Sequence, residues 1–178
     1  MTQALLYKGD HINRANVVWN IAGSFVYAFA SMVLSFLVIR LAGEEQGGIF
    51  SFGFSTLGQQ LFLVAYFGIR PFHITDGAGE YTFGDYREHR NITCLIALAA
   101  GAVFMMIRHG AYLRGVGDYN GEKCTILLLL VVYKVIDGYA DVYESEFQRQ
   151  GSLYLTGKSN TFRTLLSAIC FMGSLMAT

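Results

Sequence analysis

Hydrophobic residues in this chain come in long runs that charge does not enter. Residues 15–39, 46–69, 91–107 and 164–178 contain no Asp, Glu, Lys or Arg, giving stretches of 25, 24, 17 and 15 residues. A helix rises about 1.5 Å per residue, so roughly 20 apolar residues cross a 30 Å hydrocarbon layer. The first two runs are long enough unaided, and the third is long enough with its flanks. Glycine-bearing turns separate the runs, at Arg40 to Gly48 and through Gly110, Gly115, Gly117 and Gly121. Arg70 and Pro71 close the second helix, and the connection from Arg70 to Arg90 is too polar to lie in lipid. The pattern predicts helices over about 15–41, 48–69, 85–107, 124–150 and 161–178. The expected fold is all-α: a polytopic transmembrane helix bundle of four spans plus a partial fifth, in one membrane domain. The last run stops at Thr178 without a polar tail, which predicts truncation at the C-terminus.

Composition narrows the function classes. Thirteen basic and thirteen acidic residues balance to zero net charge, which excludes a nucleic-acid binder with a basic stripe. Cys94, Cys124 and Cys170 are odd in number and lie in or beside apolar runs, so they are expected to pack as small hydrophobes. His11, His73, His89 and His109 lack metal-ligand spacing, and no metal or other cofactor is expected. Gly151 to Ser159 reads G-x5-G-K-S, one residue longer than a phosphate-cradling loop and with no strand before it. Asn91-Ile92-Thr93 matches a glycosylation sequon, but at a predicted cytoplasmic boundary it has little meaning. The first apolar run is too long for a signal peptide and should persist in the mature protein. With the N-terminus inside, cytoplasmic segments hold Lys8, Arg14, Arg70, Arg87, Arg90, Arg149, Lys158 and Arg163. Outside segments hold Arg40, Arg108, Arg114 and Lys123. Eight cations against four predict a cytoplasmic N-terminus.

The charges that do enter apolar surroundings are concentrated in the fourth helix. At about 100° per residue, Lys134, Asp137, Asp141, Glu144 and Gln148 fall within an arc of about 80°. A charge in the bilayer centre costs about 2.5–3.5 kcal/mol on insertion scales, so such residues face protein or a water-filled cavity and tend to pair. Lys134 with Asp137 or Asp141 is the expected pair, and the face is a candidate wall of a substrate or ion pathway. A helix end whose carboxylates are merely solvated in water is the alternative, strongest for Glu144. The first helix carries an uncharged counterpart. Asn16, Asn20, Ser24, Tyr27, Ser31 and Ser35 share one face, opposite Phe25, Phe29, Met32 and Phe36. Cavity lining and helix packing are both open for Asn16 and Asn20, and packing is favoured for Ser31 and Ser35. In the second helix Gly47, Ser51, Ser55 and Gln59 recur every four residues, as a packing ridge would. In the polar connection, Arg70 with Asp76 or Glu80 is the expected ion pair.

These residues resemble the N-terminal portion of Wzx-type lipid-linked oligosaccharide flippases, within the multidrug/oligosaccharidyl-lipid/polysaccharide exporter superfamily. The resemblance rests on Asn16-Val-Val-Trp-Asn20 with Gly23-Ser24, and on Arg40-Leu-Ala-Gly43 to Gly48-Ile-Phe-Ser51. It continues through Phe67-Gly-Ile-Arg70 to Thr75-Asp76, Asp85-Tyr86 to Arg90, and Lys134 to Gln148 with Gly157-Lys-Ser159 and Arg163. Gly47 departs from the pattern where an aromatic is common, and His73 where a glutamine is common. The resemblance implies a two-lobed transporter of twelve to fourteen helices in a bacterial cytoplasmic membrane. Its cargo would be an undecaprenyl-pyrophosphate-linked sugar unit, moved by alternating access. It also implies that Asn16, Asn20, Ser24, Lys134, Asp137 and Asp141 face the central cavity, and that Arg70 and Asp76, with Glu80 beside them, brace a cytoplasmic gate. This chain would be part of one lobe, with the lipid bilayer, a lipid-linked oligosaccharide and the missing C-terminal lobe or another membrane protein as partners.

Two rival classes follow from the residues alone. A small tetraspan protein would use its polar helix faces to dock a partner, and should end in a hydrophilic tail. A membrane enzyme acting on lipid-linked sugar would use Asp137 or Asp141 as a base and needs its groups clustered at one membrane face. Lys134 to Glu144 instead extend along more than two turns, so the chain is not expected to be an enzyme.

Overall fold

The computed structural model describes residues 11–177 and is all-helical, with 88% helix and no strands among the described residues. In order, the elements are α1 (His11–Ser51), a wider π-helical segment (Phe52–Leu57), α2 (Gly58–Tyr66), α3 (Ile69–Thr75), α4 (Phe83–Tyr112), α5 (Gly121–Arg149) and α6 (Leu153–Ala177). Among the described residues, two stretches are long and apolar enough to cross a membrane, the helical run His11–Thr75 and α4. Lys8, counted above for orientation, lies outside the described residues.

The run from His11 is not straight. Gly43 has φ 90° and ψ 171°, a backbone state that a side chain disfavours, and it divides α1 into two arms. Beyond it the chain folds back. A Cβ placed on Gly47 would lie 2.8 Å from Ile39 Cα, although eight residues of straight helix would separate the two by about 12 Å. An aromatic at position 47 would strike Ile39, which accounts for glycine there. The predicted turn between the first two helices is this bend.

The second predicted helix ends three residues earlier than expected. Phe67 (φ 42°) and Gly68 (φ 68°) are both left-handed, so α2 stops at Tyr66. The helix restarts as α3, with Pro71 in its first turn. Proline is tolerated there because first-turn N–H groups have no intrahelical acceptor. The α4 start follows from a capping box. The Thr82 hydroxyl accepts the Asp85 N–H, and the Asp85 carboxylate accepts the Thr82 N–H. The fifth helix begins at Leu153, not near 161, because Lys158 and Arg163 find partners within helical structure.

The chain forms two compact units, residues 1–34 with 144–178, and residues 35–143. In the second unit, the α1 arm after Gly43, α2, α4 and α5 bury three apolar layers. Ile49, Met105 and Leu127 form one end. Leu61, Ala65, Cys94, Ala97, Val131 and Val135 form the middle, and Ile69, Tyr86 and Val142 the other end. Small residues bring the helices close: a Cβ on Gly101 would lie 2.8 Å from Val131, and one on Gly138 3.1 Å from Ala65. In the first unit, α1 crosses α6 at Gly23 and Gly157, where a Cβ on Gly157 would lie 2.1 Å from the Trp19 carbonyl oxygen. The opposite side of α1 leaves Phe25, Phe29, Met32 and Phe36 exposed.

Candidate functional site: a charge cluster at a helix break

When α2 stops at Tyr66, its last carbonyls lose their helical acceptor role, and a buried polar atom without a partner is costly. Arg90 of α4 supplies the donors. Its Nη1 donates to the carbonyl oxygens of Ala65 (2.7 Å) and Tyr66 (2.9 Å), and Thr93 Oγ1 donates to Ala65 as well (2.8 Å). The guanidinium is 5.5 Å from the Tyr66 ring centroid. A cation at a helix C-terminus is favoured by the helix dipole.

Arg90 is 0% exposed, and an unpaired charge there would be expensive. Asp141 of α5 balances it: Arg90 Nη2 lies 2.8 Å from Asp141 Oδ2, and Arg70 Nη1 of α3 lies 2.6 Å from Asp141 Oδ1. One carboxylate therefore ties together the two sides of the α2–α3 break and α4. Arg90 Nε is buried and has no hydrogen-bond partner among the described residues. The expected pairing of Arg70 with Asp76 or Glu80 is corrected. The Asp76 carboxylate accepts instead the N–H groups of Glu80 and Tyr81 and the Tyr86 hydroxyl, at 3.0, 3.2 and 3.0 Å. These bonds, the Glu80 N–H first among them, hold Asp76 below the usual carboxylate pKa. Glu80 lies in the exposed strap before α4.

The α5 face is distributed over both units. Lys134 is 2% exposed. Its stem reaches Gly58, where a Cβ would lie 2.9 Å from Lys134 Cγ, and its Nζ lies 3.9 Å from the Phe54 ring centroid. Asp137, half-buried, interacts with it electrostatically. Of the two partners that the spacing offered Lys134, Asp137 interacts with it and Asp141 is engaged by the two arginines instead.

Glu144 belongs to the first unit and is buried, not solvated. Its Oε1 lies 2.8 Å from Arg163 Nη1 and accepts Ser159 Oγ at 3.4 Å, while its carbonyl oxygen accepts Thr156 Oγ1 at 3.0 Å. Gln148 is half-buried further along α5.

On α1, Asn16 serves helix packing. Its Nδ2 donates to Gly151 O and its Oδ1 accepts the Tyr154 N–H, both at 2.9 Å, so it caps the start of α6 from another helix. Asn20 lies at the glycine crossing, where its N would be 2.8 Å from a Cβ on Gly157, and Ser24 is exposed. Ser31 Oγ donates to Tyr27 O, one turn back (2.8 Å).

Sequence reasoning counted Arg90 and Arg163 only as flanking cations and missed their burial partners. A signal for Arg90 was present: Tyr86, Arg90, Cys94, Ala97, Gly101 and Met105 follow helical spacing, and all six are buried. His73, at a position where the resemblance leads one to expect glutamine, is 1% exposed and stacks on Tyr86 at 4.2 Å between ring centroids. Cys94, Cys124 and Cys170 are free. Among the described residues, no three or more His, Cys, Asp or Glu gather as a metal site would. Comparison with protein-family models, curated proteins and solved structures gave no match.

Proposed function

We propose that this chain forms part of a membrane transport path, and that its cargo is an undecaprenyl-pyrophosphate-linked oligosaccharide destined for surface polysaccharide. One observation carries the transport reading: a helix broken within a long apolar run, with Arg90, Arg70 and Asp141 gathered at the break. Irregular backbone at membrane depth occurs where protein or a cavity supports it, and discontinuous helices build the sites of many transporters. The buried Lys134, with Asp137 beside it, extends this polar character along α5. The choice of cargo rests on the residue pattern shared with the Wzx-type flippases. On this reading the spans lie in a bacterial cytoplasmic membrane with the N-terminus inside. Asn16, Asn20, Ser24, Lys134, Asp137, Asp141, Glu144 and Gln148 belong to helices bordering the path, and Arg70, Asp76 and Glu80 to its cytoplasmic gate.

The test is genetic complementation in cells that depend on this gene for surface polysaccharide. Lys134→Ala and Asp137→Asn are expected to abolish surface polysaccharide while the protein stays in the membrane at its normal level. Normal polysaccharide in both variants would reject the proposal.

A further inference from the structure

Beside the α2–α3 break, on the flank of the second unit, lies an open cavity of about 570 Å³. Its volume is in the range of small-molecule sites. The floor and sides are apolar, formed by Val64, Phe67, Phe72, Ile92 and Ile96. Phe67 and Phe72 are more than two-thirds exposed, and Ile92 and Ile96 about half. The cavity is graded along its length. Asp85, His89 and Thr93 form a polar row at four-residue spacing on α4, with Tyr81 at the Asp85 end. Asp85 belongs to the first turn of α4, beside the polar strap, whereas Ile96 is eleven residues further into an apolar helix, about 16 Å away. One end is therefore polar at the aqueous boundary, and the other is apolar at hydrocarbon depth.

Charge selects the occupant. Asp85 is the one fixed charge among the described residues that line the cavity. Its Oδ2 accepts the Thr82 N–H and hydroxyl at 2.8 Å each. With no fixed cation in the lining, an anionic head group meets one fixed charge of its own sign, whereas an ammonium group meets that carboxylate as its counter-charge, beside the Tyr81 ring. We propose that this groove holds a zwitterionic phospholipid with an amine head group. Its ammonium lies against Asp85 and Tyr81, its phosphate within reach of the His89 imidazole, and its acyl chain over Ile92, Ile96 and Val64. The site is separate from the anionic cargo proposed above and does not depend on it.

The experiment uses the full chain in nanodiscs of equal phosphatidylethanolamine and phosphatidylglycerol, released for native mass spectrometry. The wild-type chain is expected to retain one phosphatidylethanolamine in preference to phosphatidylglycerol. Asp85→Asn keeps a carbonyl oxygen for the helix cap but removes the charge, and should reduce that preference about fivefold, as for one exposed ionic contact. Ile92→Trp fills the groove and should abolish retention, with the circular dichroism of both variants matching wild type. Three outcomes each overturn the proposal: equal retention of the two lipids by wild type, an unchanged preference in Asp85→Asn with unaltered helicity, or a lipid-free dimer of the chain. Retention that survives Ile92→Trp in a folded chain overturns it as well.

Discussion

Arg90 holds an expensive position, and its surroundings explain why it is tolerated. Two helix-end carbonyls and one carboxylate take three hydrogen bonds from one planar fork, a geometry that lysine, a compact point charge, cannot reproduce. Removing one member of a buried ion pair leaves the other charge uncompensated and typically costs about 3–5 kcal/mol. Arg90→Ala is therefore expected to destabilise the second unit by about that amount, with Arg90→Lys intermediate, in denaturant titration of the detergent-solubilised protein. An Arg90→Ala chain as stable as wild type would contradict the assignment. At this scale the sequence was half legible. The spacing placed Lys134 and Asp141 on an inward face, and both are buried, as is Glu144, for which solvation was the stronger reading. Spacing along one helix offered Asp137 or Asp141 to Lys134 and carries no information about partners on other helices; Asp137 does interact with Lys134, whereas the partners of Asp141 stand on α3 and α4.

The helices themselves were the most readable level, because long charge-free runs favour helix, whose backbone groups pair within the run. Their ends were less so. The Phe67-Gly68 break places a phenylalanine at φ 42°, a conformation that few side chains adopt, and only the tertiary bonds from Arg90 and Thr93 make stopping there tolerable. The early start of α6 likewise depends on Asn16, far away in sequence. Close crossings are where single atoms decide packing. Gly157→Ala would press a methyl group against the Trp19 backbone, whereas Gly173, also on α6, has nothing within 4 Å of a Cβ. Gly157→Ala is expected to lower stability by about 1–3 kcal/mol, as overpacking does, and Gly173→Ala to leave it near wild type. Thermal unfolding of the two variants side by side measures the contrast, and equal behaviour would show that the glycine crossing is not what joins α1 to α6.

For the molecule as a whole, orientation rests on loop cations, and the fold changes their weights. Arg90 is buried and Arg163 is paired with Glu144 inside helical structure, so neither acts as a free flanking charge. Arg108 and Lys123 gather instead around Tyr119, with centroid distances of 4.3 and 4.8 Å, and Lys123 also pairs with Asp118. The side-chain bond from Lys123 holds Asp118 below the usual carboxylate pKa. With the N-terminus inside, a reporter inserted beside Asp118 should be active only on the far side of the membrane. Cytoplasmic activity there would invert the proposed orientation.

The Asn16 cap on α6 also sets an order of events during synthesis. The bond from Asn16 reaches a residue 138 positions later, so at ribosomal rates of about 5–20 residues per second the first helix waits on the order of ten seconds for its partner. The second unit, residues 35–143, is complete before α6 leaves the ribosome. During that interval the Asn16 amide and the glycine face of α1 stand unclaimed, and a polar group without a partner in lipid is costly. Nascent chains halted before Leu153 should therefore be the form most exposed to membrane quality control, and the form in which α1 is most open to pairing with a foreign helix.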